Sequence, residues 1–140
     1  MKPIKVFLDS DVVISSLLSS TGAAFLLINH SLPVKFISNF SKQEIIAVAN
    51  RLKISPAKTK RVLQNLSLIN LKQSLAQIKK TYKIYVKDVD DSHIIAGAVA
   101  AKTRFLLSYN LKHYHTHLIK KDFDLIIYTP AQFLQYTRSL

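Results

Sequence analysis

The residues in this chain whose types and spacing could do chemistry are its acids. There are eight, Asp9, Asp11, Glu44, Asp88, Asp90, Asp91, Asp122 and Asp124, against 20 Lys plus Arg, which gives 140 residues a formal net charge of +12. Two carboxylates 5 Å apart repel by about 3 kcal/mol at an effective dielectric of about 20, so three or four gathered at one place call for a cation. All-oxygen donors in a chain without cysteine favour Mg2+ or Mn2+, which keep waters and bridge to substrate phosphate. Such an ion can activate a water and neutralise charge on a scissile phosphodiester. An acidic metal pocket in a basic protein is the combination that nuclease chemistry asks for: the bases collect the polyanion and the metal makes the acidic hole tolerable to it.

Several other chemistries are excluded. The absence of cysteine removes thiol nucleophiles, disulfides and the cysteine-based metal modules. Gly22 and Gly97 are the only glycines, so neither a P-loop nor a G-x-G-x-x-G turn can be written. Between Glu44 and Asp88 there is no acid, while Arg51, Lys53, Lys58, Lys60, Arg61, Lys72, Lys79, Lys80, Lys83 and Lys87 all fall there. Such a stretch makes no local i,i+4 ion pairs and reads either as a solvated helical face or as a phosphate-contacting surface. Arg51, Lys53, Lys58, Lys60 and Arg61 are its candidate nucleic-acid contacts. Residues 12–28 carry no charge, but a span needs about 20 apolar residues. This run holds four serines, a threonine and a glycine, and Asp9 and Asp11 abut its start. Neither a membrane span nor a secretory signal is expected, which makes a cytoplasmic protein the default.

The elements that must position these residues follow from apolar runs and caps. Strands are expected at 4–8, 34–37, 84–86, 105–107 and 125–128. One or two helices are expected over 12–29, interrupted near Thr21-Gly22, and another from Ser41 to about Lys53. Ser55-Pro56 opens helical sequence continuing to about Lys80, with a break allowed at Asn70. A further helix starts near Asp90 or Asp91 with Ile94, Ile95, Ala98 and Val99 on one face, and Thr129-Pro130 opens a last one through about Gln135. Alternating strands and helices in a chain of this length predict one α/β domain, residues 1–140, with a mostly parallel five-stranded sheet covered on both faces.

In such a sheet the functional crevice lies beyond the carboxyl ends of the strands. Asp9 and Asp11 follow the first strand, Asp88, Asp90 and Asp91 the 84–86 strand, and Ser108 with Asn110 the 105–107 strand. Glu44 sits one turn into the helix after the second strand, near enough to lean in, whereas Asp122 and Asp124 precede the last strand and belong at the opposite edge. Each acid also has a purely structural role open to it. Ser41 and Glu44 fit a capping box, Asp11, Asp88 and Asp90 could be caps or turn residues, and Asp91 a first-turn acid. His113, His115 and His117 would share a face only in an extended strand; otherwise they are a surface loop or short-helix cluster. His93 needs no catalytic role.

The segments VFLDSDVVISSLL, SKQEII, DDSHIIAGAVAAKTRFLLSYNLKHY and IIYTPAQFL resemble, in order and over nearly the whole chain, the PIN-domain ribonucleases, many of which are VapC-type toxins paired with an antitoxin. The most specific block runs from Asp91-Ser92-His93-Ile94-Ile95-Ala96 through Asn110-Leu111-Lys112-His113. The resemblance implies a three-layer α/β/α sandwich, Mg2+-dependent RNA cleavage, and frequently a homodimer. It matches the family's metal-binding acids to Asp9, Glu44 and Asp91. The position after the fourth strand, often aspartate, is Asn110, and the nearby hydroxyl is Ser108. Asp11 stands where asparagine is common and restores part of the charge missing at Asn110.

The resulting expectation is an Mg2+- or Mn2+-dependent endoribonuclease acting as the toxin of a toxin–antitoxin pair. Asp9 and Asp91 are its direct ligands, Glu44 a ligand directly or through water, Asn110 a weaker one, and Asp11 and Ser108 orient water or phosphate. The alternatives are a PIN-fold RNA-binding module that has lost activity, motivated by Asn110, and a phosphatase or receiver-like domain. The last would need a lysine at the end of strand four or five, where the sequence has Ser108, Asn110 and Thr129-Pro130 instead.

Overall fold

The computed structural model describes residues 2–140. Five short strands, β1 (Lys5–Leu8), β2 (Val34–Ser38), β3 (Ser67–Ile69), β4 (Phe105–Leu107) and β5 (Ile126–Tyr128), form one sheet in the order β3-β2-β1-β4-β5, and every pairing is parallel. Central parallel strands are buried on both faces and read as unbroken apolar runs, as VFL and FLL do here.

Successive side chains of a strand point to opposite faces, which divides the core in two. Val6, Leu8, Phe105 and Leu107 pack with Val12 and Val13 of α1 (Ser10–Leu18), Leu27 of α2 (Ala23–Ile28), Ile45 of α3 (Asn39–Arg51) and Phe133 of α8 (Pro130–Arg138). Phe7, Leu106 and Ile127 pack on the other face with Ile94, Ile95 and Ala98 of α6 (Ser92–Ala100) and Ile119 of α7 (Thr116–Phe123). The result is the expected α/β/α sandwich. Gly97 permits a close approach of α6 to β1: a Cβ there would lie 2.4 Å from Phe7 Cζ, so a larger residue would force the helix or the Phe7 ring to shift.

Two expectations are corrected. The third strand is not 84–86 but β3, and the supposed strand is a 3-10 turn, Lys83–Tyr85, followed by a single antiparallel bridge between Val86 and Tyr114. Tyr85 and Val86 do reach the core while Ile84 is exposed, so the apolar run reports burial correctly but the backbone there turns instead of joining the sheet. β3 is a sheet edge with Leu68 turned to solvent, and its SLI pattern is too short and too polar to stand out from helical sequence. Helical sequence reaches Lys80 as expected, but the break allowed at Asn70 is wider than expected and holds β3. It divides into α4 (Pro56–Gln64), opened by Ser55 as foreseen, and α5 (Leu75–Tyr82), opened by a Ser74–Gln77 capping box.

The second correction concerns α3, which begins at Asn39 because Ser38, not Ser41, is its N-cap. The Ser38 Oγ accepts from the Ser41 N–H at 3.1 Å. Ser41 and Glu44 form no capping box, which leaves the Glu44 carboxylate free. Among the described residues no helix is long and apolar enough to cross a membrane.

Candidate functional site

Because all five strands run parallel, the loops that follow them meet along one edge. Asp9 leaves β1 as the N-cap of α1, but its side chain does not cap the helix. The Asp9 N–H donates to the Leu107 carbonyl at 2.9 Å, extending the β1–β4 pairing by one residue. Its Oδ2 accepts two hydroxyls, Ser108 Oγ at 2.9 Å and Tyr114 OH at 2.6 Å. Asp11, in the first turn of α1, accepts at Oδ2 from Asn110 Nδ2 at 2.8 Å and from the Tyr109 N–H at 3.2 Å. The Asn110 N–H closes the lattice onto Ser108 Oγ at 2.9 Å. Hydrogen bonds spanning about a hundred residues of sequence thus lace the loop after β4 onto the loop after β1.

The other two acids arrive on helices. Glu44 projects from α3 with Oε2 3.5 Å from Nε2 of the buried His93. Asp91 is the N-cap of α6, delivered by a 3-10 turn, Val89–Asp91, and its Oδ2 lies 3.4 Å from His113 Nδ1. Asp88 and Asp90 take structural roles instead. The Asp88 carboxylate accepts from the Asp90 N–H at 3.0 Å, and Asp90 pairs with Lys79 at 3.1 Å on the surface. Asp122 accepts from Tyr85 OH at 2.7 Å, and Asp124 pairs with Lys120 before β5.

The electrostatics mark this edge as unusual. Burial, reinforced by the Glu44 charge, raises Asp9 above the ordinary carboxylate range, although the Tyr114 and Ser108 hydroxyls pull the other way. Asp11 is pushed up to about 7 by burial and then by Asp9. Asp91 is pushed up to about 6 by burial and Asp9, against the opposing pull of His113. Glu44 alone is lowered, because the His93 imidazole sits against it. Burial and the Asp9 charge also raise Tyr114, keeping its hydroxyl protonated as a donor.

Among the described residues, four buried side-chain polar atoms lack a partner, and all lie here: Ser10 Oγ, Asp11 Oδ1, Ser92 Oγ and His93 Nδ1. Ser10 Oγ is turned towards Glu44 without closing a hydrogen bond. Buried unsatisfied polar atoms cost about 1–3 kcal/mol each, so their confinement to one edge needs an explanation. The carboxylates press on one another, yet no three or more acidic or histidine side chains among the described residues are drawn together closely enough to enclose a metal.

Asp9, Asp11, Glu44, Asp91, Ser108 and Asn110 therefore share one edge. The candidate nucleic-acid cations are placed elsewhere. Arg51 ends α3, a helix that begins at the acidic edge and whose 13 residues span about 20 Å. Lys53 follows it in a left-handed conformation, and Lys58 Nζ donates to the Leu17 carbonyl at the end of α1 at 2.8 Å. Lys60 and Arg61 are exposed on α4. Three residues of the site escaped sequence reasoning. Tyr114 gave no local signal, while His93 and His113 were visible only as histidines near an acid motif.

Residues 5–112 match the PIN-domain family. No curated protein matches the chain. Among solved structures, a toxin–antitoxin complex from Klebsiella pneumoniae contains a chain 21% identical with a TM-score of 0.66, over 89% of this chain and 97% of that one. VapBC2 from Rickettsia felis, bound to a DNA fragment from its promoter, is 15% identical with a TM-score of 0.58, over 90% and 98% of the two chains. FitAcB from Neisseria gonorrhoeae is 16% identical with a TM-score of 0.58 over the same shares. At these identities the structures share the fold. The family match covers most of the chain, including the first-strand acids, Glu44, Asp91 and Asn110, and the chain therefore belongs to the PIN-domain family.

Proposed function

We propose that this chain is a metal-dependent endoribonuclease, a single nuclease domain that is the toxin of a toxin–antitoxin pair. The observation that carries the reading is the set of carboxyls Asp9, Asp11 and Asp91, raised first by burial and then by neighbouring acids, at one sheet edge of a strongly basic chain. Membership of the PIN-domain family supports it, as do solved neighbours of the same fold that include a toxin–antitoxin complex. A homodimer, an antitoxin partner and a cytoplasmic location belong to the same proposal.

The donor set fits Mg2+ or Mn2+. It is all oxygen, it includes the unpaired Asp11 Oδ1, and its raised carboxyls would be relieved by a divalent charge. Mg2+ usually keeps several waters and takes one or two carboxylates, so a loosely spaced set suits it better than it would suit zinc. Asp9 and Asp91 would hold the ion directly, Glu44 directly or through water, and Asn110 through water. A bound ion would supply charge neutralisation at the scissile phosphate and acidify a water.

The chain's own residues do the positioning. Ser108 and Tyr114 occupy Asp9 Oδ2 and so fix which way that carboxylate faces. Asp11, tied to Asn110 and the Tyr109 amide, holds the loop after β4 in place. His93 keeps Glu44 charged, whereas His113 only opposes the larger effects of burial and Asp9 that raise Asp91.

A second reading, a PIN-fold RNA-binding module without turnover, is favoured by Asn110 and by the open spacing of the acids. Incubating end-labelled structured and single-stranded RNAs with the protein, in Mg2+ or in EDTA, separates the two. Cleavage only with Mg2+, lost in Asp9→Asn, supports the nuclease; binding without cleavage in either condition supports the module.

A further inference from the structure

The edge of the sheet opposite the acids carries a feature that the hydrolase reading leaves unused. There the chain enters β1 and β4, which are neighbours, and the Arg104 N–H donates to the Lys5 carbonyl at 3.4 Å. This places Lys2 and Lys5, leading into β1, beside Lys102 and Arg104, leading into β4. All four residues line a cleft of about 700 Å3 walled by Ile4, Phe105 and Tyr136. No acid lines it, and among the described residues none of the four has an ion-pair partner. An adjoining cleft of about 400 Å3 shares Lys102 and Arg104 and does contain an acid, Asp124, but that carboxylate is already paired with Lys120.

The Arg104 guanidinium lies 5.6 Å from the centre of the Phe105 ring, which walls the cleft, whereas Lys5 Nζ lies 6.0 Å from the ring centre of Phe36 on the neighbouring β2. Lys102 is held in a left-handed conformation, with φ of 55°, as the chain turns out of α6. Its N–H donates to the Val99 carbonyl at 3.1 Å.

Cations beyond a helix C-terminus can simply answer the helix dipole. That accounts for Lys102 after α6, but not for Lys2 and Lys5, which lead into a strand.

We propose that this cleft is a second nucleic-acid-binding site, which takes the phosphodiester backbone of single-stranded RNA away from the acidic edge. The cleft is far larger than one phosphate, and its lining cations arrive from two chain segments, so they are spread over more than one phosphate's reach. The partly buried Tyr136, packed 5.0 Å from Phe105, offers an aromatic wall of the kind on which bases rest. A membrane surface fits less well, because among the described residues none of the exposed large apolar side chains lines this cleft. β1 alone separates the cleft from Asp9 by about 13 Å, so a strand held here would have to continue around the molecule to reach the acids. The proposal stands without the hydrolase reading, because binding is measured where no catalysis occurs.

The test uses the full chain carrying Asp9→Asn, in EDTA, and the fluorescence anisotropy of a labelled twelve-nucleotide oligouridylate. Lys5→Gln, Lys102→Asn and Arg104→Gln together should weaken binding about tenfold or more at 0.1 M salt. They should also make the slope of log K against log salt shallower by about 2, at about 0.7 per lost phosphate contact. Lys80→Gln, Lys83→Gln and Lys121→Gln remove the same charge elsewhere and should change affinity less than twofold. Lys2→Glu, in the exposed segment before β1, supplies a variant that leaves the sheet intact and should also weaken binding. Equal losses in the two triple variants, or unchanged binding in the cleft variants, would overturn the proposal. So would a cleft variant that loses binding to phosphatidylserine vesicles while keeping oligouridylate.

Discussion

Tyr114→Phe deletes one oxygen and should disable the site without disturbing the fold. The hydroxyl donates to a buried carboxylate at 2.6 Å, and hydrogen bonds to charged groups contribute about 1.5–3 kcal/mol. Losing it should push the Asp9 pKa still higher than its already raised position, because the Tyr114 hydroxyl is the leading group that opposes the effect of burial. Metal binding requires the deprotonated carboxylate. The variant should therefore bind Mn2+ about 10- to 100-fold more weakly at pH 6 and recover part of the difference by pH 8. That range is also typical of losing an outer partner of a metal ligand. Calorimetric Mn2+ titrations at the two pH values measure the effect. A carbon-13 titration of the Asp9 carboxyl in the metal-free protein reads the pKa itself. An Asp9 midpoint unchanged or lowered relative to wild type would refute the reasoning.

Three other outcomes follow from the packing and the charges. Asp11 and Asp91 hold protons in the fold, up to about 7 and about 6, that the unfolded chain releases near 4, so the folded state binds more protons across that interval. Stability of the metal-free protein should then fall as pH rises from 5 to 8, and added Mg2+ should restore it at pH 8; thermal melts in EDTA that rise over this range would contradict the assignment. Gly97→Ala drives a Cβ to 2.4 Å from Phe7 and should cost about 1–3 kcal/mol in denaturant unfolding, whereas Gly22→Ala, with its nearest neighbour at 3.9 Å, should be nearly neutral. Ser38→Ala removes the N-cap of α3 and should cost about 1 kcal/mol in the same assay.

What the sequence made legible, and what it hid, divides by the range of the interactions. The central strands β1 and β4 declare themselves because burial on both faces demands unbroken apolar runs, and the Ser55-Pro56 and Thr129-Pro130 starts are local chemistry. β3 is hidden because an edge strand needs no such run, and its loss displaced a strand onto residues 84–86. Asp91 still reaches the expected edge, by a 3-10 turn instead of a strand end, because the start of α6 is fixed by packing on β1. Asp9 and Glu44 follow from topology alone. Tyr114 could not be read, since its partner lies 105 residues away and the histidines around it suggested a different chemistry. The Glu44–His93 pair was obscured by a capping-box pattern that the Ser38 cap pre-empts.

The account rests on the carboxylates of one sheet edge holding a divalent cation together. Electron paramagnetic resonance of Mn2+ titrated into the protein tests this most directly, because bound ion drops out of the free-ion signal. Uptake of Mn2+ by the wild-type protein, displaced by excess Mg2+ and lost in both Asp9→Asn and Asp91→Asn while their thermal melts stay cooperative, is the predicted result. Uptake undiminished in either variant, or none in the wild type, would contradict it.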